Sequence, residues 1–261
     1  MPEPSSTFGS PLLAAGYATS RPPLHRLILQ RAADRMQWIR PFERALDVGC
    51  GAGLSTAALK GFAHARVGLE REPSMLQWIA TVAPGAPFVV SAGEQLPMAS
   101  ASVDLITAAG SLNYLDVGRF FPEAGRVLRP QGVLLVYDFS QGRSFDDSTD
   151  LEQWHSAFLQ RYPFADDEYW RALDPAVLAN YGSGFAVQAS ESFGIALPLD
   201  AQSYTNYILT ETNVAHALRD GEPEHSVREW CSRTLAAVFD GRSRNVTFPG
   251  YFVAMAPKSG S

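Results

Sequence analysis

An acid followed by glycines at three alternate positions carries the plainest chemistry in this chain: Asp47-Val48-Gly49-Cys50-Gly51-Ala52-Gly53-Leu54-Ser55. The apolar run Ala45–Val48 leads into it and a helical pattern over 53–61 leads out. Glycines turn the backbone sharply and let it approach a ligand closely, so the loop reads as a cradle at the carboxyl end of a strand. Two familiar cradles are excluded by single residues. A nicotinamide dinucleotide loop, G-x-G-x-x-G, needs a third glycine where Leu54 stands, and a phosphate loop needs Gly-Lys-Ser/Thr, which is absent after Gly53. Asp47 would crowd a pyrophosphate but tolerates an amino group.

Glu70 closes the next apolar segment, Val67-Gly68-Leu69-Glu70. Its two oxygens can accept from two neighbouring hydroxyls, which a neutral side chain does poorly. His155, beside Trp154, has a side chain suited to taking a proton from a hydroxyl or an amine. The other histidines, His25, His64, His216 and His225, lack metal-ligand spacing, so no metal is expected. Cys50 and Cys231 cannot make a disulfide framework, and Cys50 reads as a small filler of the loop.

These residues need a scaffold, and the pattern supplies one. Strands are expected at 45–49, 66–70, 87–91, 103–109 and 133–139, with helices at 24–39, 53–61, 73–82 and 119–129. Pro73 suits a first helical position, and Arg129-Pro130-Gln131-Gly132 turns a helix into the next strand. Val133–Val136 is apolar without alternation, as in a strand covered on both faces. Alternating strands and helices argue for a parallel sheet wrapped by helices. After residue 141 the rhythm changes: helical patterns at 146–181, 201–219 and 226–239, and strands at 185–193 and 246–256. Pro249 belongs at the start of the last strand or at a bulge.

The chain has 261 residues, 46% hydrophobic and 18% charged, with a formal net charge of −6. That composition excludes a disordered chain, and the acidic balance lacks the footprint of a nucleic-acid binder. No signal peptide is seen at Met1–Ser10, and no apolar run is long enough to span a bilayer. A soluble, cytoplasmic protein is expected.

Asp47-x-Gly49-x-Gly51-x-Gly53 resembles the first motif of class I S-adenosylmethionine-dependent methyltransferases. The later segments stand in that family's order. Val67–Glu70 resembles the second-strand motif, Glu94-Gln95-Leu96-Pro97 the stretch after the third strand, and Val103–Ile106 the fourth strand. Glu123-Ala124-Gly125-Arg126-Val127-Leu128-Arg129-Pro130-Gln131-Gly132 resembles the family's next turn. The match covers roughly 40–140, and its flavour is that of quinone-pathway and trans-aconitate methyltransferases. Two departures stand out: Ala92 replaces a frequent Asp, and Gln131-Gly132 replaces Gly-Gly.

The resemblance implies a doubly wound, Rossmann-like α/β fold of seven strands in the order 3-2-1-4-5-7-6, the seventh antiparallel. A helical cap would come from insertions after strands 5 and 6. The segments implied are an N-terminal tail and lid (1–20), a cofactor core (21–140), a cap insertion (141–184) and C-terminal strands with a second insertion (185–261). S-adenosylmethionine would be held by Asp47, Gly49, Cys50, Gly51, Gly53, Glu70, Arg71, Met75 (or Leu76), Gly93, Glu94 and Gly110. Tyr17 and Arg21 would fold over it, Arg21 reaching the methionine carboxylate. Asp104 would shape its strand. Asn113 and Tyr114 would lie in the pocket. In the cap, Trp154, Phe158, Tyr204 and Tyr207 would line the substrate site, and Trp170 and Tyr169 belong to the same aromatic set. His155 or Tyr114 would act on the substrate. Methyl transfer to a small molecule is the activity implied, with three rivals: an RNA or protein methyltransferase, a non-methylating enzyme that keeps the cofactor, and a regulatory module without turnover.

Overall fold

The structure is a computed structural model that describes residues 11–164, 177–178 and 184–258. Tyr169 and Trp170, the tail 1–10 and part of the helical pattern expected at 146–181 lie outside these residues. The chain divides into two compact units. One comprises Pro23–Phe139, Trp170–Ser192 and Tyr251–Ser261; the other comprises Met1–Pro22, Ser140–Tyr169 and Phe193–Gly250.

The first unit holds the alternating part of the chain: α2 (Leu24–Met36), β1 (Phe42–Val48), α3 (Leu54–Ala58), β2 (Ala63–Glu70), α4 (Pro73–Leu76), α5 (Ile79–Val82), β3 (Phe88–Val90), β4 (Val103–Ala109), a 3-10 turn (Leu112–Tyr114), α6 (Val117–Val127) and β5 (Leu128–Phe139). β1 pairs in parallel with β2 and β4, β2 with β3, and β4 with β5. Leu46, Val48, Ile106, Leu134 and Val136 pack with Phe120, Ala124 and Val127 of α6, burying the apolar stripe of that helix. Asp116 caps α6 by accepting from the amides of Gly118 and Arg119.

The expected turn at Arg129–Gly132 is instead the start of β5. Val103 pairs with Leu128 but Leu105 with Val133, so four residues on β5 (129–132) stand opposite one on β4 (104). The strand absorbs Pro130 as an irregularity, where no ladder donor is needed. Asp104 holds that end together, accepting from Arg129 Nη1 (2.7 Å) and the Arg44 amide (2.9 Å), the structural role expected of it.

The second unit contains α1 (Pro11–Ser20), β6 (Ser144–Phe145), α7 (Asp150–Arg161), α8 (Ala201–Ile208), α9 (Thr212–Arg219) and α10 (Glu224–Phe239). The helical pattern at 201–219 is broken at Leu209–Glu211, where Thr210 turns its hydroxyl onto the Tyr207 carbonyl. Two long strands, β7 (Phe185–Leu199) and β8 (Arg244–Pro257), contribute to both units.

The sheet has eight strands in the order β3-β2-β1-β4-β5-β8-β6, with β7 also on β8. β6 runs antiparallel to β8, with Ser144 opposite Thr247 and Phe145 opposite Val246. The Ser140 amide, just past β5, donates to the Pro249 carbonyl on that same ladder. β6 therefore continues β5 along one edge of β8, which leaves the other edge for β7. The expected seven-strand order is present, with β6 as a two-residue addition. Pro249 lies inside β8 rather than at its start. Between these two anchors three residues (141–143) face one (248) on β8, so Gln141–Arg143 bulge out of the ladder.

Candidate functional site

The parallel strands of the first unit end side by side, and β1 and β4 are neighbours at the point where strand order reverses. Open α/β sheets bind ligands at such a point. The glycine loop starts there. The Gly49 and Cys50 amides both donate to the Leu69 carbonyl, which ties the loop to β2. Gly49, Gly51 and Gly53 have φ of 70°, 53° and 97°, a region that penalises a side chain. At Gly49 the space is closed as well: a Cβ would stand 2.4 Å from Ser111 Cβ. Ser111 donates to the Val48 carbonyl at 2.7 Å, so the β4 turn is clamped across the end of β1.

Asp47 sits beneath this loop, not on its ligand side. It is fully buried and accepts from three hydroxyls: Ser55 (2.6 Å), Thr56 (2.6 Å) and Thr107 (2.7 Å). Burial pushes its carboxyl above the usual range, the Glu70 charge adds to that, and the three hydroxyl bonds oppose it. The expectation that Asp47 contacts the cofactor is corrected: it pins β1, α3 and β4 together.

Glu70 is the acid tied to the loop itself. Its Oε2 accepts from the Gly51 amide and its Oε1 from the Glu72 amide, both at 2.9 Å. Each carboxylate oxygen has a second lone pair, so both can still accept from a ligand hydroxyl. Met75 is buried below the loop, its Cε 3.3 Å from the point where a Gly51 Cβ would stand. It supports Gly51 from behind, and Leu76, half-buried, is the more accessible neighbour. Cys50 is buried too, and burial with the nearby carboxylates Asp47 and Glu70 drives its thiol pKa up, making it an inert filler. Arg71 is exposed.

Gly93 allows a tight crossing, since a Cβ there would stand 2.9 Å from both Leu115 and Val48. Glu94 accepts from the Asp116 amide, and Glu123 from the Leu96 amide, so the stretch after β3 is held along α6, at its N-cap and in its second half. Gly110, at φ 64°, leaves room for Asp138, whose Oδ1 lies 3.0 Å from the missing Cβ. Asn113 is half-buried and Tyr114 is 50% exposed. Ser111, Thr107 and Asp138 were not read from the sequence. The signal for Ser111 was its place one residue after Gly110, at a strand end.

In the second unit the aromatic residues form the unit's own core. Trp154 stacks on Phe158 with centroids 5.2 Å apart, meets Tyr204 edge-on, and donates from Nε1 to Thr234 Oγ1 at 2.7 Å. Tyr204 donates to the Gly142 carbonyl at 2.6 Å and packs on Phe239; Tyr207 packs on Phe248. Trp154 and Tyr204 spend their polar atoms inside the unit, and all four side chains are buried in its core rather than set out as the substrate wall expected of Trp154, Phe158, Tyr204 and Tyr207. Arg21 is also engaged within the unit. It lies 3.1 Å from Glu211 Oε1, donates to the Thr210 carbonyl, and stacks over the Tyr17 ring at 4.1 Å. A fork so committed does not match the expected grip on a methionine carboxylate.

The family described as "Methyltransferase domain" matches residues 46–136. Residues 46–136 are thus similar to a methyltransferase domain. Among curated relatives, it is 38% identical over 118 residues to malonyl-[acyl-carrier protein] O-methyltransferase of Dechloromonas aromatica, covering 43% of this chain and 42% of that one. It is 33% identical over 120 residues to demethylmenaquinone methyltransferase of Tropheryma whipplei, covering 44% and 50%. The chain spans about half the length of the curated relatives it matches. A solved structure from Anaeromyxobacter dehalogenans, a candidate type II methyltransferase, superposes with a TM-score of 0.65 over 81% of this chain and 88% of that one, at 21% identity. That likeness shows the shared fold.

The methyltransferase domain contains the glycine loop, Glu70, Gly93 and Gly110, and it stops three residues before the end of β5. Gln141, His155, Glu211 and Arg21 all lie outside it.

Proposed function

We propose that this chain binds S-adenosylmethionine on the methyltransferase domain and transfers its methyl group to a small-molecule acceptor. The observation that carries the reading is Glu70, held by the Gly51 and Glu72 amides beside a loop with three left-handed glycines. The residues fit an adenosyl group: Glu70 retains acceptor capacity for two ribose hydroxyls, and the left-handed Gly49, Gly51 and Gly53 bring bare backbone to the loop. The cofactor, when bound, supplies an electrophilic methyl on a positively charged sulfur.

The protein's part in such a reaction is placement. Glu70 fixes the ribose end, the crossing at Gly93 and the Glu94 segment form the adenine side, and Gly110–Ser111 form the end nearest β4. Rigid placement converts a bimolecular encounter into an oriented one and keeps water away. Both cysteines are free and buried, which suits a reducing, cytoplasmic setting. The relatives' names span an acyl-carrier-bound malonyl group and a quinone precursor, and support an acceptor of the metabolite kind.

Calorimetry tests the cofactor: S-adenosylmethionine or its demethylated product should bind saturably, and NAD should not. Saturable NAD binding without an adenosylmethionine signal overturns the reading. A panel of hydroxyl, carboxyl and amine metabolites, incubated with S-adenosylmethionine and read by mass, should then give a product one methyl heavier.

A further inference from the structure

Three acids stand within one residue of the carboxyl ends of the first unit's parallel strands: Asp47 on β1, Glu70 on β2 and Asp138 on β5. Asp47 is spent beneath the loop on three hydroxyls. Glu70 carries the ribose in the reading above. Asp138 is the third, and it lies two residues past the methyltransferase match, which ends at residue 136.

The ladder and a missing side chain fix where Asp138 sits. The Gly110 amide donates to the Tyr137 carbonyl at 2.9 Å, so the pairing of β4 with β5 runs to the end of β4. The Asp138 carboxyl group then lies against Gly110. A Cβ at position 110 would stand 3.0 Å from Asp138 Oδ1 and 3.6 Å from its Cγ, and a φ of 64° disfavours one besides. Oδ1 accepts from the Phe139 amide at 2.8 Å, which holds the carboxylate in that orientation. The next residue after Gly110 is Ser111, the one pressed against Gly49. Asp138, Gly110, Ser111 and Gly49 thus form an unbroken line from the end of β5 to the start of the glycine loop, all within one compact unit.

Tyr137, one residue back, has a different fate. It is 1% exposed, with its hydroxyl 3.1 Å from His25 Nδ1 on α2. Burial first, and then the charges of Asp47 and Asp138, push its pKa up and keep that hydroxyl neutral. Successive side chains of a strand point to opposite faces, so Tyr137 goes into the interior and Asp138 stays half-buried at the rim.

We propose that Asp138 is a cofactor-binding residue that takes the ammonium group on the amino-acid arm of S-adenosylmethionine. The proposal rests on the methyl-transfer reading above. A half-buried carboxylate favours a donor that carries positive charge, and such bonds are about twice as strong as neutral ones. Each of its oxygens has two lone pairs, so the Phe139 amide does not exhaust Oδ1. The same charge repels the arm's own carboxylate, and so selects which of the arm's two charged groups comes to the end of β4 and β5. Glu70 and Asp138 stand at opposite ends of the run β2-β1-β4-β5. One would hold the ribose and the other the amino acid, and a ligand gripped at both ends is fixed along the loop as well as onto it.

The experiment is calorimetry on the full chain with two ligands: the demethylated product, S-adenosylhomocysteine, and its deaminated analogue, which lacks only the ammonium group. The wild type should bind the analogue about tenfold more weakly than the product. Asp138→Asn keeps an oxygen for the Phe139 amide and removes the charge, so its thermal midpoint should stay within a few degrees. Its dissociation constant for the product should rise about tenfold, and that for the analogue should not move. If Asp138→Asn does not fold, Asp138→Ser is judged by the same pair of ligands. An unchanged constant for the product, or equal losses for both ligands, overturns the proposal; equal losses would mean that Asp138 acts through the fold and not on the ammonium group. A wild type that binds neither ligand overturns the adenosylmethionine reading and this assignment with it. Binding by the wild type that the variant leaves untouched overturns the assignment alone.

Discussion

The amide of Gly51 donates to Glu70 Oε2 across 2.9 Å, so the acid that ends β2 is tied to the loop after β1. One carboxylate thereby holds the shape of the loop at two amides. Glu70→Ala removes a charged acceptor from two ribose hydroxyls and from two amides. Hydrogen bonds to charged groups are worth about 1.5–3 kcal/mol, so the dissociation constant for S-adenosylmethionine should rise roughly tenfold to a hundredfold by calorimetry. An unchanged constant would place the ribose elsewhere.

Gly49 carries two separate constraints, its φ of 70° and the contact with Ser111. Gly49→Ala should lower unfolding free energy in urea by more than the ~1–2 kcal/mol of a left-handed residue alone, because Ser111 cannot withdraw without losing the Val48 carbonyl. Ser111→Gly in the same chain should recover part of the loss and never all of it. Full recovery would mean that the backbone angle carries no cost.

Trp154 is held by packing and by Thr234, so its removal should act on stability. Trp154→Ala should cost about 3–5 kcal/mol, as for other buried aromatics cut to alanine, and leave S-adenosylmethionine affinity unchanged. Trp154→Phe keeps the ring stack and loses the Thr234 bond, costing about 1 kcal/mol. A normal thermal midpoint in Trp154→Ala would return this residue to the pocket.

His155 also marks a pH window. Its folded pKa lies below the usual value near 6.5, so the unfolded chain takes up its proton first as pH falls. That contribution to stability is present above about pH 6.5 and is lost progressively below it. Thermal midpoints between pH 7.5 and 5 should fall more steeply in the wild type than in His155→Gln. Parallel curves would mean that the ring is protonated as readily inside the fold as outside it.

How far the sequence could be read depends on where the partners lie. The glycine loop and Glu70 belong to short strand-to-helix units, and their register comes from local pattern, so both were legible. Asp47 was found as a motif member but misread in role, because Thr107, which faces it, comes 60 residues later. The aromatic residues show the limit clearly. Helical spacing at Trp154 and Phe158 looks the same whether the stripe faces a ligand or Thr234, Tyr204 and Trp230 of its own unit. Gln141 and Glu211 left no sequence signal at all. Their hydrogen bond arises only when a bulge and an interhelical turn 70 residues apart meet. The broken pattern at 201–219 hid that turn, since Thr210 and Glu211 continue the helical spacing on either side.

The Arg21–Glu211 pair has a meaning for how the chain is made. Arg21 also bonds the Thr210 carbonyl, 189 residues ahead of it. At about 5–20 residues per second, roughly 10–40 s pass between the synthesis of the first partner and the second. Throughout that time Gly16, which would press a Cβ to 2.9 Å from Thr210 Cγ2, has nothing to close upon. The methyltransferase domain's first five strands can assemble while α1 waits. The helix that begins the described chain is thus among the last pieces to find its place, and a ribosome paused before residue 210 would carry it undocked.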